Sequence, residues 1–130
     1  RTHMVNTPDQ IMRLVRLADH PNLLVSLDTY HLVTEIVDYR EAIVTVSDSL
    51  WGMHMCENNR GVPGSGLIPW ATILKALNEI RFDGYILFES YNSSIGDFAL
   101  ERGMFHNVCP DPAVFVQDGM KFIKGGLAGK

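Results

Sequence analysis

Ionisable residues stand at the ends of three short apolar segments of the sequence. Asp28 follows the first segment, His54 lies near the end of the second and Glu89 follows the third. If these segments are parallel strands, their carboxyl ends meet at one edge of a sheet and the three side chains lie together. Two carboxylates and an imidazole suit a borderline cation such as Mn²⁺, Co²⁺ or Zn²⁺. A site for Mg²⁺ or Ca²⁺, which prefer oxygen ligands alone, would not need the histidine. The pattern therefore predicts a metal site.

Each of these residues also has a structural interpretation. Asp28 could cap the turn that follows it. A lone strand histidine such as His54 is more often a hydrogen-bonded core residue than a ligand, and Glu89 could belong to a structural pair. His31 and Arg60, which follow the first two segments, could be ordinary loop residues. The metal interpretation is favoured because all three segments end in a suitable ligand.

Helices and strands alternate in the segments that would position these residues. Thr7 is the predicted N-cap of a first helix, with Pro8 at its first position and Gln10 completing a capping box. Residues 20–22 end this helix. The further elements are a strand at 23–27, a helix at 34–46, a strand at 49–55, a helix at 69–80, a strand at 85–88 and a last helix from 112 to about 123. A long loop at 91–109 precedes that helix, and we expect the tail at 125–130 to be frayed.

This order predicts an α/β fold with a parallel sheet covered by helices. The sequence supplies about three strands and four helices. A closed (β/α)8 TIM barrel needs eight strands and about 250 residues. Residues 1–130 therefore form either a small open α/β layer or roughly half of a barrel.

The bulk composition excludes several classes of partner. The chain has 130 residues, a net charge of -4 and 46% hydrophobic residues, which suits one ordinary domain. Its 11 Lys and Arg residues are scattered, so we expect no nucleic-acid partner. No apolar run reaches the roughly 18–20 residues of a membrane span, and we expect no membrane partner. Two distant cysteines, Cys56 and Cys109, favour reduced thiols and a cytoplasmic location.

Four ordered motifs resemble one enzyme family. They are Leu27-Asp-Thr-Tyr-His31, His54-x-x-Glu57-Asn-Asn-Arg60-Gly61, Pro63-Gly-x-Gly66-x-x-Pro69-Trp70 and Phe88-Glu-Ser90. Together they resemble the ketose 3-epimerases, the tagatose/allulose 3-epimerase group of the xylose-isomerase-like superfamily. The resemblance runs from about Asn6 to Ile123. It implies that residues 1–130 are the C-terminal part of a single TIM-barrel domain.

The resemblance also implies a role for each candidate residue. Asp28, His54 and Glu89 would be the second, third and fourth ligands of one Mn²⁺ or Co²⁺, with Zn²⁺ or Mg²⁺ as alternatives. His31 and Arg60 would bind the carbonyl end of the substrate, and Glu89 would double as an acid/base carboxylate. The first ligand, which is also the second acid/base carboxylate, would be a glutamate in a strand that precedes this chain.

The activity implied by the resemblance is that of an isomerase. The enzyme would invert C3 of a free ketose through a metal-stabilised enediolate, as a homo-oligomer. Its partners would be the sugar and the N-terminal half of the barrel, without which this chain would be inactive. Hydroxypyruvate isomerase and inosose dehydratase, of the same superfamily, are the alternatives within the enzyme class. A half-barrel fragment or assembly module without turnover is the alternative outside it, since three strands leave two edges unpaired.

Overall fold

The strands form one parallel sheet that aligns the candidate ligands. The computed structural model describes residues 4–128. Strands β1 (Val25–Asp28), β2 (Leu50–His54) and β3 (Tyr85–Leu87) lie side by side in that order. In this register Asp28 lies beside His54, and His54 lies beside Leu87. Glu89 follows β3 directly after Phe88, at the same edge of the sheet.

The helices cover one face of this sheet. The α-helices of the described residues are α1 (Pro8–Ala18), α2 (Thr29–Glu35), α3 (Tyr39–Thr45), α4 (Trp70–Glu79), α5 (Asp97–Leu100) and α6 (Pro112–Ala128). Helix α1 packs against α3, α3 against α4 and α4 against α6. The predicted capping box is confirmed, because Thr7 and Gln10 each accept a backbone hydrogen bond of the other. Within residues 4–128, no helix is both long enough and apolar enough to cross a membrane.

Successive side chains of the strands point alternately into the hydrophobic core and towards the candidate site. Leu27 and Met53 are paired in register and are buried in the hydrophobic core. Successive side chains of a strand point to opposite faces. Asp28 and His54, one position further along, are therefore turned away from the helices and towards the open face of the sheet.

The predicted helix at 34–46 is wrong, because two helices occupy this region. Asp28 caps α2 by accepting a hydrogen bond from the Tyr30 N–H, and Asp38 caps α3 in the same way through the Glu41 N–H. Ile36 between them has extended backbone angles. A side-chain acceptor at Asp38 thus starts a new helix where periodicity alone indicated a continuous one. Val37 is fully exposed at this break.

The last helix extends beyond its predicted end. Helix α6 starts after Asp111, whose carboxylate accepts hydrogen bonds from the Ala113 and Val114 N–H groups. It continues past Ile123 to Ala128 and so includes most of the tail expected to be frayed. Residues 129–130 of that tail lie outside the described residues.

Candidate metal centre

Asp28, His54 and Glu89 converge at the carboxyl edge of the sheet. One ligand atom from each lies within 4.8 Å of the other two, and all three residues are half-buried. The His54 Nδ1 atom lies 3.4 Å from the Glu89 Oε2 atom. The structure thus brings together the three residues that the sequence predicted as ligands.

The chemistry of this donor set fits a divalent cation. Two carboxylates and one imidazole are ligands of borderline metals. Ligand atoms about 2.1 Å from a shared ion lie at most about 4.2 Å apart. The ligand atoms, which lie within 4.8 Å of one another, would therefore draw closer together around one ion. Partial exposure leaves further coordination positions open to other oxygen ligands.

Arg60 contributes a buried positive charge between the two carboxylates. Its Nη1 atom donates to Asp28 Oδ2 at 2.9 Å and to Glu89 Oε2 at 3.0 Å. Only 1% of the residue is exposed, and its backbone is left-handed with φ 64°. A left-handed conformation is uncommon for a residue with a side chain, so the surrounding loop must hold Arg60 there.

Aromatic rings and a histidine surround the same guanidinium. Its Cζ atom lies 4.1 Å from the ring centre of Tyr30 and 4.9 Å from that of Tyr91. The Nη2 atom lies 3.2 Å from the Nε2 atom of His31, a largely exposed side chain. Its Nε atom has no hydrogen-bond partner among residues 4–128. His31 and Arg60, the two predicted substrate-binding residues, are therefore adjacent to each other and to the predicted metal ligands.

The surroundings of Glu89 keep its carboxylate charged. Partial burial acts to raise the pKa of Glu89, but three neighbours outweigh it and lower the pKa below its ordinary value. These neighbours are Tyr91, whose hydroxyl donates a 2.5 Å hydrogen bond, the charged Arg60 and the adjacent imidazole of His54. The pKa of Tyr91 is raised in turn, mainly by that hydrogen bond, so the phenol remains a donor. An ionised carboxylate is the form that can bind a cation or accept a proton.

Hydrogen bonds of Thr29 link the end of β1 to the end of β2. It is fully buried, and its hydroxyl donates to the Cys56 carbonyl at 2.7 Å and accepts from the Cys56 N–H at 3.1 Å. Burial raises the pKa of the Cys56 thiol to about 11, so this cysteine is protonated at neutral pH. A protonated thiol is a poor nucleophile. Sequence reasoning gave no role to Thr29, because a threonine after an aspartate has no distinctive signal.

Three further residues of the site were also missed. Tyr30 and Tyr91 contact Arg60, and Glu57 is a fully buried carboxylate three residues before it. The two tyrosines could have been found from the sequence, because each is an aromatic residue two positions after a predicted ligand. Glu57 was quoted only as a member of one of the four motifs and was given no role.

A family model and curated relatives identify the fold family. The model described as a xylose isomerase-like TIM barrel matches residues 1–124. The chain belongs to this family. It is 32% identical over 128 residues to the ketose 3-epimerase of Arthrobacter globiformis, covering 97% of this chain and 44% of the relative. It is 30% identical over 122 residues to a probable ketose 3-epimerase of Synechocystis sp., covering 94% and 42%.

Solved structures agree with this family membership. The D-allulose 3-epimerase of a Methylomonas species superimposes with a TM-score of 0.88 and 27% identity, covering 97% of this chain and 45% of that one. The chain spans less than half the length of the relatives it matches. Together with the three-stranded sheet, this confirms the prediction that the chain represents roughly half of a TIM barrel.

Proposed function

We propose that this chain supplies most of the metal site of a ketose 3-epimerase, which inverts C3 of a free ketose. One observation supports the proposal above all. Asp28, His54 and Glu89 converge at the carboxyl edge of the sheet in a member of the xylose isomerase-like family. Relatives named as ketose 3-epimerases cover nearly the whole of this chain.

Glu89 is the proposed acid/base residue of this chain. Its ionised carboxylate takes the C3 proton of the ketose, and the C–H electron pair becomes the C2–C3 double bond of an enediolate. A second carboxyl group, in its protonated form, then delivers its proton to the opposite face of C3, and proton exchange with solvent returns both carboxyl groups to their starting states. A divalent cation held by Asp28, His54 and Glu89 would stabilise the negative charge that develops on the sugar oxygens.

His31 and Arg60 are the proposed substrate-binding residues. A cavity of about 700 Å³ lies beside them, and Tyr30 and Tyr91 also line it. Arg60 has donors directed at the ligand carboxylates, and its position next to them suits contact with the carbonyl end of a bound sugar. His31 is accessible from the cavity because most of its side chain is exposed.

The finer features of this enzyme stay part of the proposal. We favour Mn²⁺ or Co²⁺ over Zn²⁺ or Mg²⁺ because one ligand is an imidazole. The second carboxylate and a fourth metal ligand are assigned to a glutamate in the rest of the barrel, so we expect no turnover by this chain alone. A homo-oligomeric state and a cytoplasmic location remain predictions.

The proposal can be tested by rebuilding the complete barrel. We expect the barrel that contains this chain to interconvert C3 epimers of free ketoses when Mn²⁺ or Co²⁺ is supplied, and this chain alone to be inactive. The reaction is followed by chromatographic separation of the two ketoses, and solvent deuterium should enter at C3. Turnover of hydroxypyruvate or inosose without turnover of any ketose would refute the epimerase assignment. A lack of turnover on all of these substrates would favour the half-barrel module.

A further inference from the structure

Glu57 is a fully buried acidic residue in the loop between β2 and α4. The residue has no exposed surface, and none of its hydrogen-bond donors is a charged group. Taking a carboxylate out of water is costly unless hydrogen bonds replace its hydration. Three N–H groups supply such hydrogen bonds to Glu57, so the chain around it accommodates a carboxylate at this position.

The carboxylate of Glu57 organises the loop that follows it. Its Oε1 atom accepts from the Gly64 N–H at 2.7 Å and from the Trp70 indole at 2.5 Å, and its Oε2 atom accepts from the Ile68 N–H at 3.2 Å. A Cβ atom at Gly66 would lie 2.6 Å from Oε2, so the chain passes directly over the carboxylate. The segment from 57 to 70 is thus wrapped around this one group.

Arg60 belongs to the same wrapped segment. Its N–H donates to the Glu57 carbonyl, and the Glu57 N–H donates to the Gly61 carbonyl, which closes a tight turn around Arg60. This turn holds the left-handed backbone of Arg60. The metal-ligand candidates Asp28 and His54 lie in strands outside the turn, and Glu89 follows the third strand. A change at Glu57 should therefore move Arg60 before it moves the ligands.

We propose that Glu57 is a positioning residue. Through its hydrogen bonds to the loop, it holds Arg60 beside the proposed metal centre, at the place where the substrate would bind. The assignment rests on the proposed function only for the identity of the substrate. Glutamine at position 57 keeps the size of the side chain but replaces one acceptor oxygen by an NH₂ donor, which would face an N–H group of the loop. The loop then loses part of its anchor, and Arg60 is no longer fixed.

The test is a double-mutant cycle in the complete barrel. Glu57→Gln should raise the KM for the ketose about tenfold or more, with kcat changed less than about threefold. In an Arg60→Met background the same substitution should have no further effect on KM, because the residue through which it acts is gone. Glu79→Gln, the same change at an exposed glutamate, is the matched control. Independent, additive effects of Glu57→Gln and Arg60→Met on KM would overturn the proposal. A Glu57→Gln enzyme with the same KM as the Glu79→Gln enzyme would also overturn it.

A second measurement does not depend on turnover. In this chain, Glu57→Gln should shift or broaden the ¹H–¹⁵N resonance of the Arg60 Nε–H group, which is identified by its loss in Arg60→Met. An unchanged Arg60 resonance would overturn the proposal even if the barrel epimerised no ketose. If Glu57→Gln does not fold, Trp70→Phe removes one donor only and should shift the same resonance to a smaller extent. The proposed function fails separately, through the absence of ketose turnover in the unsubstituted barrel.

Discussion

Two glutamates that follow neighbouring strands occupy opposite surroundings. Glu57 follows β2, is fully buried and accepts hydrogen bonds only from uncharged N–H groups. Glu89 follows β3, keeps 28% of its side chain exposed and lies beside Arg60, His54 and Tyr91. The residue type and its place after a strand are the same in both cases.

The difference shows which surroundings let a carboxylate at the end of a strand bind an ion or a substrate. The oxygens of Glu57 are engaged by the loop and cannot be reached by an ion or a sugar. Those of Glu89 are partly exposed and lie beside Arg60, His54 and Tyr91. We therefore expect substitutions at Glu89 to change binding and turnover, and substitutions around Glu57 to change stability and the position of Arg60.

The largest effect is expected for Glu89→Gln. This change removes the proposed charged ligand and the proposed acid/base group together, so Mn²⁺ binding to this chain should weaken at least about 100-fold. Turnover of the complete barrel should fall about 10²–10⁴-fold. Calorimetric titration and a ketose epimerisation assay measure the two effects. Glu79→Gln is the control, and unchanged Mn²⁺ binding in Glu89→Gln would show that the ligand assignment is wrong.

Gly66→Ala tests whether the surroundings of Glu57 are rigid. The added Cβ atom would lie 2.6 Å from both Asn58 Oδ1 and Glu57 Oε2, so the free energy of unfolding should fall by about 2 kcal/mol. Gly125→Ala is the contrasting control. It lies in α6 with no atom within 4 Å of the new Cβ, and it should stabilise the chain by up to about 1 kcal/mol. Urea unfolding measures both changes. If Gly66→Ala leaves the free energy of unfolding unchanged, the loop around Glu57 shifts at little cost.

Arg60→Met tests the charge balance beside Glu89. The guanidinium donates to two of the carboxylates that a cation would share and also repels that cation. Its removal should therefore tighten Mn²⁺ binding on the order of tenfold, about 1.4 kcal/mol. Calorimetry on this chain measures the change. Weaker binding would instead mean that Arg60 holds the carboxylates in a metal-binding arrangement.

The smallest effect is expected at Glu79, a surface carboxylate outside both regions. A hydrogen bond from Arg40 lowers the pKa of Glu79 below its ordinary value of 4.5. The pair should therefore add stability above about pH 4.5 that is lost as the pH falls through the lower, folded-state pKa. The stability difference between the unsubstituted chain and Glu79→Gln should shrink between pH 6 and pH 3. Because both side chains are well exposed, 0.5 M salt should also reduce it.

Local sequence signals determined the order of the elements and the three ligand candidates. The Thr7–Gln10 capping box, the apolar strand segments and the polar residue after each strand depend on interactions between near neighbours in the chain. These were sufficient for the parallel α/β arrangement and for the edge at which Asp28, His54 and Glu89 meet. The same local approach failed at Asp38, where one side-chain cap competes with a continuous helical pattern.

Only the tertiary structure decided how the charges around the site are arranged. The contacts of Arg60 with Asp28 and Glu89 span 32 and 29 residues, and those of Glu57 with Ile68 and Trp70 span a loop without regular structure. No periodicity or motif spacing encodes such contacts, because they depend on the path of a loop in space. Burial then made Glu57 a structural anchor, while partial exposure left Glu89 available to a cation and a substrate.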